Sequence, residues 1–207
     1  MLTAVTPIER QRVLHVFRTA SVPAFMHGSN WYMDANDLCS KLLGGGRERK
    51  CAGLLAAASP NKSWPANIAA VYSYLGEGVQ QVTDPQWVKM QEIMAGGDPE
   101  HVLKGHKELA FYKCIRWPDA VDTVCIDRHA VAIVDGWNSM ETPRSMGSYD
   151  RYANVYRSVA AELGLVPMQV QAITWLAWRE SPMVANPVPA EAADAPYRRL
   201  IDAEDDT

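Results

Sequence analysis

The 207-residue chain has no apolar run approaching the roughly 18 residues that a membrane-crossing helix needs. Its longest small-apolar stretch, residues 51–58, is short and rich in alanine. No basic segment followed by an apolar core opens the N-terminus, so no secretory leader is expected. The four cysteines, Cys39, Cys51, Cys114 and Cys125, show no C-x-x-C spacing. Zinc ribbons and iron–sulfur clusters need closely spaced thiolates, so neither a metal nor another cofactor is expected. Four reduced, mostly buried thiols in a cytoplasmic protein are the natural reading. Strand signals are scarce as well. Residues 121–126 alternate in polarity, but so short and isolated a run reads as an extended connector.

A surplus of positive charge is also missing, and the net charge is −4. That figure belongs to the tail. Residues 191–207 hold six acids (Glu191, Asp194, Asp202, Glu204, Asp205 and Asp206) against Arg198 and Arg199, a balance of −4 that leaves residues 1–190 neutral. Within the body, residues 41–62 hold five bases (Lys41, Arg47, Arg49, Lys50 and Lys62) against Glu48, a local +4. Residues 99–116 hold four (Lys104, Lys107, Lys113 and Arg116) against Glu100 and Glu108, a local +2. A polyanionic partner is therefore compatible with the body, with modest and salt-dependent affinity.

What is present is apolar content and helical periodicity. Hydrophobic residues make up 48% of the chain, enough for a core and too many for a disordered polymer. Thr6-Pro7-Ile8-Glu9 is a capping box with proline at the first helical position, which predicts a helix over residues 7–19. Further helices are expected over 34–43, ending at Gly44-Gly45-Gly46, from about 47 to the break at Ser59-Pro60, and over 64–75. Asp84-Pro85 and Asp98-Pro99 each read as an N-cap followed by proline and open two more. Segments near 106–115, 127–135, 149–163 and 167–179 complete an all-α fold. Residues 1–180 are expected to form one helical domain and 181–207 an acidic, Pro/Ala-rich tail.

Four segments carry residues suited to chemistry. In the loop of residues 59–67, Asn61 and Asn67 can donate and accept as base recognition requires, Lys62 is cationic, and Trp64 offers a stacking face. The plainer reading is a helix–helix turn with Trp64 packed into the core. Residues 98–107 end one short helix and begin another. Gly105, His106 and Lys107 then lie where backbone N–H groups can meet phosphate, and ordinary solvated lysines at a corner are the alternative. Asp127 opens a helix, followed by Arg128 and His129. It is either a cap or a carboxylate that activates water and offsets developing positive charge. On the last regular helix Trp175 and Arg179 are four apart and share a face, which allows a cation–π pair. In the plainer reading one of Trp175 and Trp178 is core.

In this order the segments resemble the helix-hairpin-helix DNA glycosylase superfamily, the endonuclease III-like group. The resemblance rests on Leu54-Leu55-Ala56-Ala57-Ala58-Ser59-Pro60-Asn61, on Leu103-Lys104-Gly105-His106-Lys107 for part of an L-P-G-x-G hairpin, and on Ile126-Asp127-Arg128-His129. More closely, residues 8–180 resemble uncharacterised proteins of actinobacterial phages that share S-P-x-x-x-W-x-x-N, G-x-K-x-x-x-F, V-D-R-H and W-x-x-W-R patterns. The resemblance implies a DNA partner, a place in the host cytoplasm, and Asp127 as the catalytic carboxylate of a monofunctional hydrolase. The lyase position falls on Leu109, or on Glu108 with a one-residue gap, and neither is a lysine. It further implies that Lys62, Gly105, His106 and Lys107 hold phosphates, and that Asn61, Trp64, Asn67 and Trp175 meet an extruded base. Arg128 and His129 would orient phosphate or water, and Arg179 would contact substrate or DNA. Two other readings stand beside it: thymine hypermodification on the same fold, and a non-enzymatic module that binds DNA, or a host protein through its acidic tail.

Overall fold

A computed structural model describes residues 5–137 and 142–180. Among them the chain forms ten helices and no strand. These are α1 (Pro7–Arg18), α2 (Val22–Leu43), α3 (Glu48–Ala58), α4 (Trp64–Glu77), α5 (Asp84–Met94), α6 (Pro99–Val102), α7 (His106–Arg116), α8 (Arg128–Asp135), α9 (Met146–Leu163) and α10 (Pro167–Glu180). No single described helix is long and apolar enough to cross a membrane. The tail expected at 181–207 lies outside the described residues. The four cysteines are free thiols and buried.

Packing divides the chain into two units. One comprises the described residues up to Trp31 together with those from Ala120 onward, the other Tyr32–Asp119. The second unit is organised by α3, which packs against α4, α5, α6 and α7. Every residue from Cys51 to Ala58 is buried, so the alanine-rich run is a core helix covered on all sides. Small side chains permit that close packing. A Cβ on Gly53 would lie 2.9 Å from Pro99 Cγ.

In the first unit α8 packs against α1, α9 and α10, and its residues 130–134 are all buried. The capping box expected at Thr6 and Glu9 is present. Arg12 of α1 donates to the Val134 carbonyl at 2.7 Å, placing a cation at the C-terminal end of α8 where the helix dipole favours it.

Of the boundaries that differ from expectation, two have a clear physical cause. Helix α2 begins at Val22, not near residue 34, although Gly28-Ser29-Asn30 is poor helix sequence. Tertiary packing overrides propensity there: a Cβ on Gly28 would sit 2.5 Å from Ile173 Cα, so the glycine lets α2 and α10 touch. In α5 the cap is Thr83, with Asp84 and Pro85 already helical. Gln86 completes the box by accepting from the Thr83 N–H and hydroxyl, each at 2.9 Å. Asp98 caps α6 as its sequence suggested.

Candidate functional site

The residues singled out by sequence divide between the two units. Asp127, Arg128, His129, Trp175 and Arg179 belong to the first unit, and Asn61, Lys62, Trp64, Asn67, Gly105, His106 and Lys107 to the second.

In the first unit the site is built from its backbone outward. The connector of residues 121–126 has no helical partners, so its polar groups must be satisfied by other means. Helix α9 supplies them. The buried Tyr149 hydroxyl accepts the Ile126 N–H at 2.8 Å and donates to the Val124 carbonyl at 3.0 Å. Arg157 donates Nε–H and Nη2–H to the Asp122 carbonyl at 2.9 and 2.8 Å. The chain thus arrives at Asp127 in a fixed, extended conformation (φ −105°, ψ −178°).

Asp127 is the N-cap of α8. Its Oδ1 accepts the backbone N–H of His129 at 3.0 Å and of Ala130 at 2.9 Å. Its Oδ2 accepts the indole Nε1–H of Trp175 at 3.0 Å. Trp175 itself carries the Arg179 guanidinium 4.6 Å from its ring centroid, the cation–π pair that their spacing allows. The His129 ring meets the same indole edge-on at 6.2 Å. Asp127, His129 and Trp175 are half-buried, and Arg128 and Arg179 are exposed. Trp178 is the core tryptophan of the pair, at 2% exposure. Beneath the cluster lies Tyr156, fully buried, its hydroxyl donating to the Ala130 carbonyl at 3.4 Å. Burial, with the Asp127 charge adding to it, pushes that phenol well above its ordinary range, so it stays neutral. The chemical result is a half-buried carboxylate gripped by three N–H donors, with a cation and two aromatic rings around it.

Tyr149, Tyr156 and Arg157 escaped the sequence reading. Tyr149 and Tyr156 are seven apart, which puts them on one face of α9. A buried tyrosine needs a partner for its hydroxyl, and that spacing was the legible signal.

In the second unit Asn61 takes φ 62°, the left-handed region that asparagine tolerates. Lys62 Nζ donates to the Gln81 carbonyl at 2.8 Å. Together with Pro60, Gln81, Thr83 and Gln86 these residues line a groove of about 400 Å³. Asn67 is placed differently. At 2% exposure it donates its amide to the Leu55 carbonyl at 3.0 Å, tying α4 to the end of α3. Trp64 packs edge-on against Phe111 of α7, with ring centroids 6.4 Å apart. Gly105 is the N-cap of α7 at an ordinary φ of −78°, and no side chain caps the helix there. Lys104 and Lys107 are exposed and His106 half-buried. Glu108 is a buried carboxylate bridged to Lys89 of α5, whose Nζ lies 2.7 Å from both of its oxygens. No cluster of three or more His, Cys, Asp or Glu side chains suited to a metal ion occurs among the described residues.

Fold and geometry define an all-helical protein with a rigidly held carboxylate at the start of its eighth helix. The chain belongs to DUF7178, a family of unknown function whose model matches residues 4–182. Comparison with curated proteins and with solved structures gave no match.

Proposed function

We propose that the protein acts on DNA as a monofunctional, glycosylase-like hydrolase with Asp127 as its working carboxylate. The observation that carries this reading is the fixation of Asp127. Three N–H donors hold it in one orientation, half-buried, beside His129, Trp175 and Arg179. A preorganised anion costs no reorganisation when positive charge develops near it.

In the proposed step the bond between the sugar C1′ and the base nitrogen breaks, and its electron pair leaves with the base. Asp127 offsets the cationic sugar. A water oxygen then bonds to C1′ while its proton passes to the carboxylate, and that proton is finally returned to the departed base. Nucleotide and water give free base and a hydroxyl at C1′. Arg128, His129 and Arg179 supply positive charge or a hydrogen bond to phosphate and water. Lys62, His106, Lys107 and the start of α7 at Gly105 supply affinity for the DNA backbone. Asn61 and Trp64 supply the second unit's own groups for contact with DNA, whereas the Asn67 side-chain N–H is given to Leu55.

The test uses duplexes that contain either a cationic pyrrolidine or a neutral tetrahydrofuran at one abasic position, so that the identity of the base does not enter. The wild-type protein is expected to bind the cationic duplex at least tenfold more tightly, and Asp127→Asn to abolish the preference while keeping affinity for the neutral one. Equal binding of the two duplexes by the wild-type protein refutes the reading.

That Asp127 also caps α8 favours a second reading, a non-enzymatic DNA-binding module in which the carboxylate is structural. It predicts no preference for the cationic duplex.

A further inference from the structure

The two oxygens of Asp127 are not equivalent. An ionised carboxylate accepts about two hydrogen bonds on each oxygen. Oδ1 is filled by the His129 and Ala130 backbone N–H groups, the ordinary work of an N-cap. Among the described residues Oδ2 takes one donor, the Trp175 indole N–H at 3.0 Å, with capacity for a second. A cap alone fixes one oxygen and leaves the other end of the carboxylate to be set by solvent. The indole fixes that end as well. Trp175 is in turn held by the guanidinium over its ring and by a T-shaped contact with the His129 ring.

We infer that Trp175 is the positioning residue of Asp127, and that Oδ2, not Oδ1, is the oxygen that faces the developing cation and takes the proton from water. The inference rests on the glycosylase-like reading of Asp127. It gives Trp175 a different part from that of a base-stacking wedge: its ring edge is committed to the carboxylate and its face to Arg179. It also makes the Asp127→Asn change less conservative than it looks. A carboxamide has a single oxygen, which can serve the cap or the indole but not both.

Trp175→Phe removes the N–H and keeps a flat ring beneath Arg179. Its preference for the pyrrolidine duplex over the tetrahydrofuran duplex is expected to fall at least fivefold, with affinity for the neutral duplex changed less than twofold. A merely structural tryptophan would lower the melting temperature and leave that ratio alone, so an unchanged ratio in folded Trp175→Phe overturns the inference. Solvent exchange of the Trp175 indole proton, followed by NMR, reads the contact without any DNA. It is expected to rise at least tenfold in Asp127→Ala and in Asp127→Asn, and exchange at the wild-type rate in Asp127→Ala overturns the positioning itself. A normal indole contact in a wild-type protein that shows no preference for the cationic duplex instead overturns the catalytic reading beneath it, which tells the two failures apart.

Discussion

The indole N–H of Trp175 donates to Oδ2 of Asp127 at 3.0 Å, joining residues 48 positions apart in sequence. Oδ1 of the same carboxylate caps α8. One side chain thus carries a local job, helix initiation, and a long-range one, linkage of α8 to α10. Asp127→Ala removes both, and its destabilisation should reach about 2 kcal/mol, the upper end for loss of an N-cap. Asp127→Asn should cost less than half of that, because its oxygen can still cap the helix. Urea denaturation of both variants measures the difference.

Tyr149 holds the connector through one hydroxyl placed between an N–H and a carbonyl. Tyr149→Phe leaves the Ile126 N–H buried without its acceptor. An unsatisfied buried group costs about 1–3 kcal/mol, whereas an exposed phenol could be removed for a few tenths. We expect a loss within that range in chemical denaturation. We also expect faster amide exchange at Ile126 than in the wild-type protein.

Gly28 and Gly105 separate packing from function. Helix propensity alone says that Gly28→Ala should stabilise by about 1 kcal/mol. The new Cβ would meet the Ile173 backbone at 2.5 Å, however, and overpacking of that kind costs about 1–3 kcal/mol or more. A lower melting temperature is the expected sign. At Gly105 a Cβ would find only Glu108 atoms at 3.5 Å and beyond, and φ is ordinary. Gly105→Ala should therefore change stability by less than about 0.5 kcal/mol. If DNA backbone approaches α7 at that point, its affinity for a tetrahydrofuran duplex should nevertheless drop.

Glu9 gives the acid limb of stability. Burial works to raise its carboxyl, but the backbone and hydroxyl donors of Thr6 and the Arg151 charge together outweigh it and hold the group below the usual carboxylate range. A carboxyl depressed on folding stabilises above its unfolded value, near pH 4.3, and loses that contribution as pH falls toward its folded value. Glu9→Gln should flatten this part of the pH–stability curve. Asp135 works in the opposite sense. Burial raises it, so its ionisation with rising pH above about 3.9 costs stability, and Asp135→Asn should remove that slope. Melting temperatures between pH 3 and pH 6 check both signs.

DNA affinity, where present, should fall steeply with salt. Replacing both Lys104 and Lys107 by alanine should reduce the magnitude of the log–log salt slope by about 1–2 while hardly changing stability, since both side chains are exposed. A slope unchanged in the double variant removes the α6–α7 corner from the DNA contact.

Much of the helical inventory was legible because its signals are local. Thr6, Asp98 and Asp127 each sit where a short polar side chain can cap the next turn, and each does so. Four-residue spacing placed Arg179 on the Trp175 ring. The beginning of α2 was not legible: Gly28-Ser29-Asn30 is poor helix sequence, and only the packing of Ile173 of α10 against Gly28 makes a glycine fit there. Nor was the fate of Asn67. Its position beside a polar loop suggested an outward amide, yet the Leu55 carbonyl at the end of α3 needed a donor and took it.

By itself the sequence determined an all-helical chain, its caps and breaks, and Asp127 as a residue with two available roles. Periodicity, caps and proline positions act within a turn or two, so one dimension suffices to read them. Only the tertiary structure decided which oxygen of Asp127 is occupied and by what, because Trp175, Tyr149 and Arg157 reach the Asp127 segment from α9 and α10. Hydrogen bonds across such separations depend on how helices pack, and packing is set by the shapes of whole faces rather than by any local run of residues.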